Sequence, residues 1–162
     1  MNIPAEPDQF RELCEKVGLA LLMGQKVQFA LAQYYGTYQA VRNGWSRERV
    51  TESVKKHLSQ AMGNVVAAIQ LDAPLDAELF GKVCAFKGRR NWLAHDFDEE
   101  ATPFLTQGQR IPEYIGQMEG ISIEACALMQ ELDTVGSDLP RKWANCSAPD
   151  DGIDAKGNLN SI

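Results

Sequence analysis

Apolar residues recur at helical spacing along most of this chain, and this periodicity limits its fold more than any other feature. Asp8 is suited to cap a first helix, after which two heptad rows of mainly apolar residues run through residues 10–41. Asn43 and Gly44 then form a typical helix terminator. The sequence has no β-type alternation of useful length, no internal repeat and no glycine-rich phosphate loop. It therefore predicts an all-α protein.

Two further helices are predicted in the middle of the chain. Ser46 is placed to cap the second helix, whose apolar row spans residues 50–69 and breaks at residues 72–74. Asp76 is placed to cap the third helix, whose apolar row continues toward Phe97. Arg90 interrupts that row, so a charged side chain stands where the helical period favours an apolar one.

The last part of the chain is predicted to hold one more helix. Residues 98–109 contain acids, a proline and a glycine, which indicate a connection with at most a short turn of structure. Pro112 suits the first turn of a fourth helix, and from Gly136 onward large apolar residues become few. We therefore expect an up-and-down bundle of four to five helices in residues 1–135, and a largely irregular acidic and polar C-terminal tail in residues 136–162.

Composition restricts the compartment and the chemistry. The 162 residues include no apolar run long enough for a membrane span, and the first residues do not have the pattern of a secretion signal, so a cytoplasmic protein is expected. The cysteines form no C-x-x-C pair, and we expect Cys14, Cys84 and Cys126 to be small, reduced core residues. Only two histidines are present, of which His57 is expected to be exposed. Neither a metal nor a cofactor is predicted.

The distribution of charge is more informative than its total. A net charge of −6 argues against non-specific binding to long nucleic acids, because that binding depends on an excess of lysine and arginine. Residues 81–95 nevertheless contain four bases and no acid, and an acidic run follows directly at residues 96–100. Any anion site in this chain must therefore be local.

The basic stretch contains one motif that can carry chemistry. Arg90 is followed directly by Asn91 and, five residues after the arginine, by His95, which gives the pattern R-N-x-x-x-H late in a predicted helix. The string alone occurs by chance in many proteins. Its position in an all-helical chain makes it more informative.

In this motif, and more loosely in the order of its helices from Asp8 to about Asp133, the chain resembles the HEPN family. These small helical bundles carry the signature R-x(4 to 6)-H, often with a polar residue after the arginine. The resemblance implies a homodimer that acts on RNA as a metal-independent endoribonuclease, in a toxin or defence role, with a protein regulator or antitoxin as a further partner. The implied catalytic residues are Arg90, Asn91 and His95, with substrate binding by Lys87 and Arg89.

The residue types suit cleavage of RNA by its own 2′-OH. A histidine can move protons near neutral pH, and the forked donors of an arginine can hold the charge that develops on the phosphate. Asn91 lies one turn before His95 and could orient it or bind the phosphate. On a regular helix, however, Arg90 and His95 point about 140° apart. Either the helix loosens near Ala94, or a two-fold axis supplies the arginine from one copy and the histidine from the other.

One position departs from a branch of the family. That branch carries H-x-Tyr, in which the tyrosine is modified with a nucleotide by a partner enzyme. Phe97 occupies the corresponding position here, so regulation of that kind is not expected.

Other interpretations of the same residues stay open. Arg90 could be an interhelical ion-pair partner whose stem lies along the core, and His95 could simply bond a carbonyl at a helix end. The alternative function is a non-catalytic helical dimer that binds RNA or a protein partner, and a third class is a structural or ligand-binding bundle. Two further groups could contact RNA, although an aromatic core and a solvated face are the commoner roles: the tyrosines Tyr34, Tyr35 and Tyr38, and the bases Arg42, Arg47, Arg49, Lys55 and Lys56.

Overall fold

The computed structural model describes residues 7–146, and this part of the chain is helical throughout apart from short connections. The predicted all-α bundle is therefore confirmed. Its elements, in chain order, are α1 (Pro7–Asn43), α2 (Arg47–Leu58), α3 (Met62–Asp72), α4 (Ala77–Asn91), a π-helical segment (Trp92–Asp96), α5 (Phe97–Leu105) and α6 (Ile111–Cys146).

The long helices α1 and α6 are neighbours and run parallel. Lys16 pairs with Glu119 near one end, and Arg42 stacks on Trp143 near the other. The sequence separation between contacting residues is therefore almost constant, as it is for parallel helices. The residues that contact α1 show that α2 and α4 run antiparallel to it and that α3 runs parallel to it. The chain therefore runs up and down through α1 to α4 and up again in α6, with the short α5 between the last two.

One apolar core lies between α1 and the other helices. Full burial of a large apolar side chain contributes roughly 1.5–3 kcal/mol, so this core supplies most of the stabilisation. Its largest fully buried side chains include Leu13, Leu31, Ile69, Phe86, Tyr114, Met118 and Leu132.

The helix ends largely follow the local signals in the sequence. Gly44 has a φ of 64°, a conformation that favours glycine, and its N–H donates to the carbonyl of Ala40, which ends α1 as predicted. The side chains of Ser46 and Asp76 accept backbone hydrogen bonds at the starts of α2 and α4, so both predicted caps are confirmed. The N-cap role of Asp8 is wrong, because α1 already begins at Pro7.

The single helix predicted over residues 50–69 is instead two antiparallel helices. The chain turns between Ser59 and Ala61, where the Gln28 side-chain amide on α1 donates to the carbonyls of His57 and Gln60, at 2.8 Å each. These carbonyls would otherwise lack partners at a helix end. The apolar period runs through the turn unbroken, so the sequence pattern does not reveal it.

Residues 98–109 were expected to form a connection, but most of them belong to α5. Asp98, Glu99 and Glu100 of the acidic run fall in the first turn of that helix, where their negative charge stabilises the positive end of the helix dipole. Phe97 and Ala101 are buried and anchor α5 to the core. Pro103 lies inside the helix without ending it.

The prediction of an irregular chain from Gly136 onward is wrong for residues 136–146, which continue α6. Leu139 packs against the core, and Trp143 lies against Arg42 of α1. These contacts stabilise a segment whose composition alone does not favour a helix. Residues 147–162 of the predicted tail lie outside the described residues.

Two predictions about buried and exposed side chains are also corrected. Cys14 and Cys126 are exposed and Cys84 is only half-buried, because the core-facing positions of these helices are taken by other residues. His57 was expected to be exposed, yet only 7% of it is accessible, since α2 packs its last turn against Tyr35. Within residues 7–146, no helix combines the length and the apolar character needed to cross a membrane.

Candidate functional site

Arg90 lies where α4 packs against α1. Its side chain is half-buried, and its Cγ atom lies so close to the buried Gly24 that a Cβ atom added to that glycine would be 3.0 Å away. The stem of Arg90 therefore lies along the protein, as one interpretation of the sequence proposed. The interhelical ion pair of that interpretation is absent, because no carboxylate within residues 7–146 pairs with the guanidinium.

The helix loosens close to Ala94. In the π-helical segment, the Phe97 N–H donates to the carbonyl of Trp92, five residues earlier. Such a turn holds more residues than an α-helical turn. The angle around the helix axis between Arg90 and His95 is therefore smaller than the about 140° of a regular helix. His95 is exposed on this segment, and no hydrogen bond joins it to Arg90.

Aromatic and polar contacts hold the loosened turn in place. The rings of Trp92 and Phe97 meet edge to face with centroids 5.4 Å apart, and the Phe97 ring makes a similar contact with Tyr114 of α6. The Trp92 indole N–H donates to Glu100 of α5 at 2.8 Å. The segment that carries His95 is therefore fixed to both following helices.

The other predicted site residues are divided between two sides of α4. The side-chain oxygen of Asn91 accepts a long hydrogen bond of 3.5 Å from Arg90, and no hydrogen bond joins Asn91 to His95. Lys87 is half-buried one turn before Arg90 and forms no ion pair among the described residues. Arg89 instead pairs with Glu124 of α6 at 2.7 Å, which directs it away from α1.

A cavity of about 740 Å³ lies on the α6 side of the π-helical segment. Arg89, Trp92 and Glu100 contribute to its lining, whereas Arg90 and His95 lie outside it. Arg90 instead lies on the α1 side of α4, against Gly24, and His95 is exposed to solvent.

Sequence reasoning missed an exposed apolar surface on α1 beside Arg90. Leu22 and Phe29 lie about 180° and 160° around the helix from the buried Leu31. Each is nearly half exposed, at 48% and 45%. The α1 apolar face consists of these two residues with Leu19 and Leu21. A helical projection relative to the predicted heptad rows would have revealed it, because all four fall outside those rows.

The α1 apolar face extends to the Arg90 contact. Leu21 is 36% exposed and lies one turn before Gly24, the residue on which the Arg90 stem rests. A partner that covered this face would therefore lie beside the arginine.

Comparison with known proteins adds no assignment to this geometry. No family model matches the chain, and neither the curated proteins nor the solved structures contain a significant match.

Proposed function

We propose that this chain is a HEPN-like homodimer that cleaves RNA as a metal-independent endoribonuclease. The observation that carries the proposal is the arrangement of Arg90 and His95. The stem of Arg90 lies against Gly24, and no carboxylate among residues 7–146 pairs with its guanidinium. The helix that carries it loosens into a π-helical segment on which His95 is exposed. Interruptions of this kind are frequent at functional sites.

Each group has a defined task in the proposed reaction. The imidazole of His95 accepts the proton from an RNA 2′-OH as its oxygen bonds to the adjacent phosphorus. The P–O5′ bond breaks, which leaves a 2′,3′-cyclic phosphate on one product and a 5′-OH on the other. Arg90 donates hydrogen bonds to the phosphate oxygens as their negative charge grows. The leaving 5′ oxygen takes its proton from water, and the protonated His95 then returns its proton to solvent, so the step balances with one histidine at each phosphate.

The α1 apolar face supports the dimer in this proposal. A soluble chain rarely leaves four large apolar side chains exposed together on one helix without a partner. A second copy that packed on this face about a two-fold axis would cover Leu21 and Leu22 and bring the two Arg90 side chains close together. One copy could then supply the arginine and the other the histidine at each phosphate.

The test is cleavage of single-stranded RNA by the purified full chain in EDTA, with mapping of the product ends. Wild type is expected to leave 2′,3′-cyclic phosphates, and His95→Ala is expected to cut at least about a hundredfold more slowly, the scale for loss of a general acid or base. Lys142→Ala is the control, because Lys142 is an exposed base near the far end of α6 that forms no ion pair among residues 7–146. Wild type that cuts no RNA, or His95→Ala that cuts as fast, would contradict the enzyme proposal.

The second candidate is a non-catalytic dimer that binds RNA or a protein partner through the same surface. The net charge of −6 favours the protein-binding form of this candidate, because a protein that binds RNA strongly usually carries an excess of bases. RNA binding that protects residues 90–95 without any cleavage would distinguish it from the first proposal.

A further inference from the structure

A second group of aromatic and basic side chains meets at the C-terminal end of α1. Two adjoining cavities of about 760 and 350 Å³ share Tyr35, Trp45 and Arg49 in their lining, and the larger one also includes Arg42 and Asp72. Volumes of several hundred Å³ are typical of sites for small molecules. We call this group the aromatic–arginine cleft.

Both arginines of the cleft are held by aromatic rings and not by carboxylates. The Arg49 guanidinium lies 4.2 Å from the centroid of the Trp45 ring, and the Arg42 guanidinium lies 5.3 Å from that of Trp143. Arg42 also donates to the Tyr38 hydroxyl at 3.4 Å. Neither arginine forms an ion pair within residues 7–146. Because stacking uses the face of a guanidinium, the N–H groups at its edge stay available to an anion.

The rest of the lining supplies flat apolar surface and a hydrogen-bond acceptor. The half-buried rings of Tyr38 and Trp45 line the larger cavity, and the buried Tyr35 packs edge to face against Trp45 with ring centroids 6.1 Å apart. The Tyr35 hydroxyl donates to the Asp72 carboxylate at 3.4 Å, which leaves that carboxylate with further acceptor capacity. The negative charge of Asp72 also opposes a polyphosphate, so the cleft favours a ligand with a single phosphate.

We propose that the aromatic–arginine cleft binds one nucleotide unit. Its base lies against the aromatic lining, its phosphate accepts hydrogen bonds from Arg42 and Arg49, and its hydroxyl or amino groups donate to Asp72. Stacking on aromatic rings together with arginine contacts is the common way to hold an unpaired nucleotide. A free nucleoside monophosphate and an unpaired residue of an RNA strand share this chemistry.

This site does not depend on the proposed ribonuclease. Tyr35 lies eleven residues after Gly24, which is about 16 Å along α1 from the Arg90 contact at the rise of an α-helix. Loss of cleavage at His95 would therefore leave the cleft intact, and loss of the cleft would leave the Arg90 contact intact.

Titration calorimetry of the full chain with AMP, adenosine, inorganic phosphate and a short 2′-O-methylated oligoadenylate RNA tests the proposal. The methyl groups remove the attacking hydroxyl, so the RNA is not cut at the proposed ribonuclease site. AMP is expected to bind at least about tenfold more tightly than adenosine or phosphate, because only AMP uses both halves of the cleft. Arg49→Ala is expected to weaken AMP binding at least about tenfold, and Arg47→Ala on the same helix is expected to leave it unchanged, because Arg47 lies outside both cavities.

The two sources of the nucleotide are distinguished by the RNA arm. Tighter binding of the oligonucleotide than of AMP, sensitive to Arg49→Ala, identifies an RNA strand, whereas equal or weaker binding identifies a free nucleotide. Arg42→Ala gives a second variant at an exposed position, and circular dichroism checks that each variant folds. Equal affinity for AMP and phosphate, or AMP binding that neither arginine substitution weakens, would overturn the proposal.

Discussion

The stem of Arg90 rests on Gly24, a buried glycine in the middle of α1, and this contact fixes where α4 presents the guanidinium of Arg90. A larger residue at Gly24 would occupy the space of the arginine stem. The contact therefore links the packing of two helices to the chemistry proposed for the motif.

Substitution of Gly24 by alanine is expected to disturb Arg90, and Gly18→Ala provides a matched control. Alanine favours a helix over glycine by up to about 1 kcal/mol, and a Cβ atom at Gly18 meets no atom within 4 Å. Gly18→Ala should therefore raise the free energy of unfolding. At Gly24 the crowding of Arg90 opposes this gain, since overpacking costs about 1–3 kcal/mol. Urea denaturation should show Gly24→Ala to be less stable than Gly18→Ala, with slower RNA cleavage; equal stability and activity would contradict the contact.

Arg90→Ala is expected to weaken both RNA binding and turnover. A phosphate contact is made in the ground state as well as in the transition state, so both should fall. Arg90→Lys should restore only part of the loss, because an ammonium group lacks the planar fork of donors. Binding and single-turnover cleavage of a labelled RNA measure the two effects separately. A lysine variant with wild-type rates would show that a point charge is sufficient.

The α1 apolar face is expected to hold two copies together. Light scattering of wild type should give a mass of about twice the 17.9 kDa of one chain. Leu22→Glu should lower the measured mass toward that of a single chain, because a charge would be buried in the interface. Leu71→Glu on α3 is the control, since Leu71 is 80% exposed and adjoins Asp72, which contacts Tyr35, thirteen residues along α1 from Leu22. A monomeric wild type, or a dimer that survives Leu22→Glu, would exclude this interface.

His57 is expected to make stability depend on pH. Burial, and secondarily the charge of Lys56, lowers the pKa of His57 below its ordinary value of 6.5, and its buried Nδ1 atom has no hydrogen-bond partner in the described part of the chain. Between that lowered pKa and about 6.5, the unfolded chain binds more protons than the folded one. The contribution of His57 to stability is therefore complete above about pH 6.5 and is lost as the pH falls toward its folded pKa.

The measurement is urea denaturation at pH 7.5 and pH 5.5. Wild type should lose more stability on acidification than His57→Phe, which cannot titrate but keeps a ring beside Tyr35. His95→Gln removes an exposed histidine and should keep the wild-type difference. The same loss of stability in His57→Phe and wild type would assign the pH dependence to other groups.

The sequence by itself determined the helical class, the end of α1 at Gly44, and the capped starts of α2 and α4. These features could be predicted because they depend on local spacing and on side chains within a few residues of the backbone groups that they satisfy. The motif residues Arg90, Asn91 and His95 could be selected for the same reason, since their types and spacing are visible in one short segment.

Only the tertiary structure decided the features that depend on residues far apart in the chain. Gln28 reaches from α1 to the turn that separates α2 from α3, and packing on α1 buries His57 and extends α6 past Gly136. Contacts with α5 and α6 hold the π-helical segment that brings His95 toward the side of Arg90. Local spacing cannot reveal such contacts, because burial and hydrogen bonds between helices depend on which faces meet after the chain has folded.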